Sequence, residues 1–93
     1  MSSESELLEE ALAEWHRLAG SIKAQFKKKL VERLVEPRLP SAKLSGHPDR
    51  YKIKLRSIGY RLVYEVQDGR LVVLVVAVGK RDKNAVYRAA EGR

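Results

Sequence analysis

The chain has 93 residues, no cysteine, 44% hydrophobic and 33% charged residues, and a formal net charge of +7. Those values predict one globular domain over residues 1–93 and exclude a disordered chain, a disulfide scaffold and a thiolate metal site. No apolar run approaches the ~20 residues of a membrane helix, and the acidic start is unlike a signal peptide, so a cytoplasmic protein with no membrane partner is expected.

The charge is unevenly spread. Residues 1–14 hold five glutamates and no base, so residues 15–93 carry nineteen bases against seven acids, or +12. A field of that sign attracts polyanions and speeds their encounter, although many basic proteins use charge for solubility alone.

Leu8, Ala11, Leu12, Trp15 and Leu18 recur at three- and four-residue spacing and build an apolar stripe. Ser3 and Glu6 have the spacing of a capping box, and the early glutamates suit the positive end of a helix dipole. One helix is therefore predicted over residues 5–19, with no strand before Tyr51. Gly20 and Ser21 mark its end and the cap of a second helix, whose stripe is Ile22, Phe26, Leu30 and Leu34, broadened by Val31 and Val35. Pro37 stops it, and the short joint implies an antiparallel helical hairpin. Residues 37–50 hold all three prolines and Gly46, and read as a loop.

From residue 51 the period changes to two. Tyr51, Ile53 and Leu55 alternate with Lys52, Lys54 and Arg56, and a second alternating run covers residues 60–66. Asp68-Gly69 signals a tight hairpin that sets Val66 against Leu71 and Arg61 against Val76. Residues 71–78 are apolar throughout and should form a central strand covered on both faces. A short last helix follows Asp82 and runs through Val86 and Ala90 to Gly92. The fold class is α+β: a helical hairpin on an antiparallel meander sheet of three strands, with four as the alternative, and a short C-terminal helix.

If Ser57 pairs with Tyr60, Arg56 faces Arg61, Lys54 faces Val63, and Lys52, Lys54, Arg56 and Arg61 share one face of the sheet. Four clustered cations repel one another, and folding gives little reason to gather them. They suit a chain of phosphates; the alternative is a solvated sheet face. Lys80, Arg81 and Tyr87 follow, and a tyrosine beside a basic face can stack on an unpaired base. His16 and His47 are read as surface residues rather than an acid–base couple, and no strand carries paired carboxylates. An enzyme on this chain must work with Lys, Arg and Tyr, without cofactor or metal.

The stretch of residues 51–64, with Val78, Gly79, Lys80 and Arg81 and then Val86 and Tyr87, resembles the RelE toxin family. Residues 25–32 and 43–46 match it too, and the resemblance spans residues 11–88. It implies an endoribonuclease that cuts messenger RNA in the ribosomal A site by attack of the 2′-hydroxyl on the adjacent phosphate. It also implies a RelB-type antitoxin as inhibitor, and operator DNA as a partner only through the antitoxin complex. The family's functional residues fall on Lys52, Lys54, Arg61, Arg81 and Tyr87, with Arg56, Lys80, Lys27 and Lys28 as further RNA or ribosome contacts. Which of Lys52, Lys54 and Tyr87 takes the proton stays open. Family members begin with a short hydrophobic strand that makes a fourth member of the sheet; Ser-Ser-Glu-Ser-Glu at residues 2–6 is poor strand material, and three strands are expected here. A scaffold relative of the ParE kind, which poisons gyrase without cutting RNA, and a plain RNA- or ribosome-binding module are the competing readings.

Overall fold

The computed structural model describes residues 4–67, 72–80 and 85–93. In chain order the elements are β1 (Glu4–Leu7), α1 (Glu9–His16), α2 (Gly20–Val35), a 3-10 turn (Pro40–Ala42), β2 (Arg50–Leu55), β3 (Tyr60–Gln67), β4 (Val72–Lys80) and α3 (Ala85–Glu91). The α+β class, the helical hairpin, the meander β2-β3-β4 and the last helix are as expected from the sequence. The start is not. Residues 4–7 form a strand parallel to β4, giving a four-stranded mixed sheet in the order β1-β4-β3-β2. The expected helix over residues 5–19 is thereby shortened to Glu9–His16, and Glu6, half of the expected capping box, lies in β1. Strand propensity spans only ~1 kcal/mol and is overridden by context. β4 offers an edge of backbone donors and acceptors that any backbone can satisfy. Leu7 then packs against the core, and Leu8 donates its N–H to the Val75 carbonyl at 3.0 Å.

α1 and α2 cover one face of the sheet. Ala11, Leu18, Phe26 and Leu30 pack there on Tyr51, Ile53, Leu55, Leu62, Tyr64, Val66, Val73, Val75 and Val78. Val31 and Val35 do not broaden that stripe: they stand 62% and 76% exposed on the outer side of α2, and Leu12 is 41% exposed. Nor does Ser21 cap α2, whose cap position is Ala19. The opposite face is covered by α3, where Val86 and Ala90 lie on Val63, Val76 and Ala77. β4 is thus buried on both sides, as its unbroken apolar run requires. Asp82, the expected cap of α3, and Leu71 lie outside the described residues.

A buried tyrosine ties the helices to the sheet edge. The Tyr64 hydroxyl donates to the Pro37 carbonyl at 2.7 Å and accepts from Arg33 Nη1 at 3.0 Å, and Arg33 Nη1 also reaches the Lys52 carbonyl at 3.1 Å. Burial pushes the Tyr64 phenol above its ordinary value, against the opposing pull of the Arg33 bond. A raised folded-state value means that this contribution is complete below pH ~10 and is lost as pH rises through the folded value. Tyr64→Phe should therefore cost about 1–2 kcal/mol at neutral pH, measured by urea unfolding. It should also lose less stability than wild type above pH ~10.

Candidate functional site

The hairpin between β2 and β3 sets the site. Leu55 pairs with Tyr60, so the turn has four residues, Arg56 to Gly59, closed by the Gly59 N–H on the Leu55 carbonyl at 2.9 Å. Gly59 takes φ +70°, a conformation that glycine reaches without strain. The expected register is therefore shifted by two residues: Lys54, not Arg56, stands opposite Arg61, and Lys52 stands opposite Val63. A shift of two preserves the face on which each side chain falls. Lys52, Lys54 and Arg61 do share one face, the face that α3 covers, while Arg56 is carried into the exposed turn.

The β3–β4 pairing is also offset from the expected one. Val66 faces Val73 and Arg61 faces Gly79, with a register shift between Val63 and Tyr64. Asp68-Gly69 itself lies outside the described residues, but the pairings on either side are not those of the expected tight turn. The irregularity leaves Val76 and Ala77 both on the α3 face and brings Gly79 beside Arg61.

Arg61 is the central cation of this face. It is only 7% exposed, with Lys54 on one flank and the bare backbone of Gly79 on the other. Its Nη1 donates to the Tyr60 carbonyl at 2.9 Å, and no carboxylate pairs with it among the described residues. A Cβ at Gly79 would sit 3.5 Å from Val86 Cγ2, which places the first turn of α3 directly over the position opposite Arg61. Tyr87, the next residue, is half-buried and packs on the same apolar cluster as Val86. Four of the five expected catalytic residues thus lie on one face; Arg81 lies outside the described residues.

A groove of about 270 Å³ borders the outer edge of β2, lined by Arg33, Leu39, Ser41, Lys52, Lys54 and Arg56. Arg56 therefore keeps its place beside the basic face through this groove. Arg33 was not foreseen from the sequence: it sits on a helix, and nothing local signals its bond to the Lys52 carbonyl. The structure does not gather the other expected contacts. Lys80 pairs with Tyr60 and so belongs to the opposite side of the strand from Arg61. Lys27 and Lys28 are exposed on α2, across the sheet from Arg61. His16 is exposed, and His47 Nε2 lies 3.8 Å from Glu91 Oε1, away from the basic face.

The sequence and the fold are both similar to those of known proteins. The family of the ParE toxin of type II toxin–antitoxin systems, parDE, matches residues 6–85. The mRNA interferase toxin RelE of Escherichia coli is 55% identical over 85 residues, which span 91% of this chain and 90% of that protein. This chain belongs to the RelE/ParE family of type II toxins. Its fold agrees: an arginine-to-alanine double mutant of the E. coli toxin RelE in the free state gives a TM-score of 0.92 at 50% identity, covering 100% of this chain and 98% of that one. The toxin of the intact E. coli RelBE toxin–antitoxin complex gives 0.84 at 52% identity, covering 87% and 99%. Among the described residues of this RelE/ParE chain, no helix is long and apolar enough to cross a membrane.

Proposed function

We propose that this chain is a toxin endoribonuclease that cuts messenger RNA in the ribosomal A site and is neutralised by a RelB-type antitoxin. It acts as a single cytoplasmic domain, and operator DNA is met only through the antitoxin complex. The observation that carries this reading is the buried Arg61 with Lys54 opposite it, Lys52 beside them and Tyr87 on the helix above. Among the described residues no carboxylate pairs with Arg61; a buried cation so placed is costly to keep for folding alone, and an RNA phosphate supplies the balancing charge. The 55% identity to an mRNA interferase points the same way.

In the reaction the RNA 2′-oxygen attacks the adjacent phosphorus, the bond to the 5′-oxygen breaks, and a 2′,3′-cyclic phosphate remains. Arg61 holds the phosphate oxygens through paired bonds that strengthen as charge builds on them. One of Lys52, Lys54 and Tyr87 takes the 2′-hydroxyl proton, and Arg81 stabilises the charge on the departing 5′-oxygen, which takes a proton from water to leave as a hydroxyl. Cations alone cannot align three atoms for in-line attack, and the ribosome supplies that alignment to the bound codon. The antitoxin, being the natural complement of a +12 surface, is acidic and covers the basic face or its roofing helix.

Primer extension on two versions of one message tests this reading. Cuts should appear within codons of the translated version and be absent when its start codon is removed. Equal cutting of both, or growth arrest with an intact message and inhibited gyrase, would replace it by one of the other readings.

A further inference from the structure

The seven-residue helix α3 is too short to hold itself, and it rests on the sheet through the buried Val86 and Ala90, with Tyr87 and Ala89 packed beside them. That hold covers two turns only, and further anchors lie at the far end of the helix. Arg50 Nη1 donates to the Ala90 carbonyl at 2.6 Å while its Nε donates to Glu65 at 3.0 Å. Beyond the helix, Arg93 reaches around the edge of β4 and makes a forked pair with Glu14 of α1, Nη1 to Oε1 at 2.7 Å and Nη2 to Oε2 at 3.2 Å.

The place where this fork lands is specific. Val76 has no partner in the β3–β4 ladder because it stands at the register shift, and its carbonyl accepts from Arg93 Nη1 at 3.0 Å. Two residues on, the Val78 N–H donates to Glu14 Oε1 at 3.3 Å. Three elements, α1, β4 and the segment after α3, are joined at one point of the sheet edge beyond the end of β1. The Glu14 carboxylate holds the Arg93 guanidinium above even its usual range, so the guanidinium stays charged.

Tyr87 stands on the helical turn before that anchor. A side chain ~5–6 Å from the helix axis moves about 1 Å when the helix turns by ~10°, and an error of that size in a reacting group can cost up to ~100-fold in rate. We propose that Arg93 and Glu14 are positioning residues, whose forked pair at the edge of β4 sets the rotation of α3 and thereby the place of Tyr87 over the basic face. This rests on the assignment of Tyr87 to the RNA-cleaving site. Neither residue touches RNA; both act through the helix.

A cycle of four full-length proteins tests it: wild type, Arg93→Ala, Tyr87→Ala and the double variant, compared by single-turnover cleavage on programmed ribosomes at saturating ribosome. Arg93→Ala should slow cleavage about 10-fold in the wild-type background and less than about 2-fold when Tyr87 is already absent. Ribosome binding should be unchanged. Equal losses in the two backgrounds would mean that the pair only stabilises the fold, and wild-type cleavage by Arg93→Ala would mean that it does nothing here; either result overturns the proposal. Wild-type cleavage by Tyr87→Ala would instead remove Tyr87 from the site itself, and the proposal with it. Should Arg93→Ala fail to fold, the same cycle with Arg93→Lys, which keeps the charge and loses the fork, decides by the same criterion.

Discussion

Arg61→Ala should lower single-turnover cleavage of ribosome-bound messenger RNA by about 100- to 1,000-fold while the protein stays folded. The guanidinium is 7% exposed, so its field at a bound phosphate is little screened by water, and its position is held by the Tyr60 carbonyl and by the close approach of Gly79. Its charge is matched by no carboxylate among the described residues, and its removal leaves no buried anion behind. The stability cost should accordingly be small, within about 1 kcal/mol. Arg61→Lys should recover little, because an ammonium cannot make the paired bonds of the fork. Cleavage rates and thermal unfolding, measured on the same preparations, separate the two effects. A rate within a few-fold of wild type would show that Arg61 has no part in cleavage.

The largest effect on stability is expected at Phe26. It is fully buried under the sheet, on the face opposite Arg61, and its ring lies 6.3 Å from that of Trp15 at a tilt of 44°. It is the point where α1, α2 and the sheet meet. Phe26→Ala removes that contact and leaves a cavity, at a cost of about 3–5 kcal/mol. Domains of this size have ~5–15 kcal/mol in all, so the variant should unfold well below the wild-type denaturant midpoint. A loss under about 1 kcal/mol would show that the helices repack around the gap. Such a variant should still cut RNA at a near-normal rate in the fraction that is folded, since Phe26 and Arg61 lie on opposite faces.

The parts legible in the sequence are those decided by local period. Alternation from Tyr51 onward gave the right faces for Lys52, Lys54 and Arg61 even though the turn was four residues long rather than two, because a two-residue slip keeps parity. The apolar run before Gly79 marks a strand covered on both sides, and β4 is buried in that way. What was missed depends on contacts distant along the chain. β1 is made of Glu, Ser, Glu and Leu, and forms because β4 presents an edge, a fact absent from residues 4–7 themselves. The register shift at Val63 and Tyr64 is equally non-local, and with it the place of Val76 outside the β3–β4 ladder. Glu14 and Arg93 meet across 79 positions, and Arg33 meets the Lys52 carbonyl across 19. Val31 and Val35 fit the helical stripe by spacing alone, but they stand on the exposed side of α2.

The chemistry of the cut end tests the central claim most directly. A ribosome programmed with a defined codon in the A site is mixed with excess purified protein, and the RNA fragments are weighed by mass spectrometry. The upstream fragment should end within that codon in a 2′,3′-cyclic phosphate, and the downstream fragment should begin with a 5′-hydroxyl. An intact message on fully occupied ribosomes, or an upstream fragment ending in a 3′-hydroxyl, would contradict a cleavage driven by the 2′-oxygen on the Lys52, Lys54 and Arg61 face.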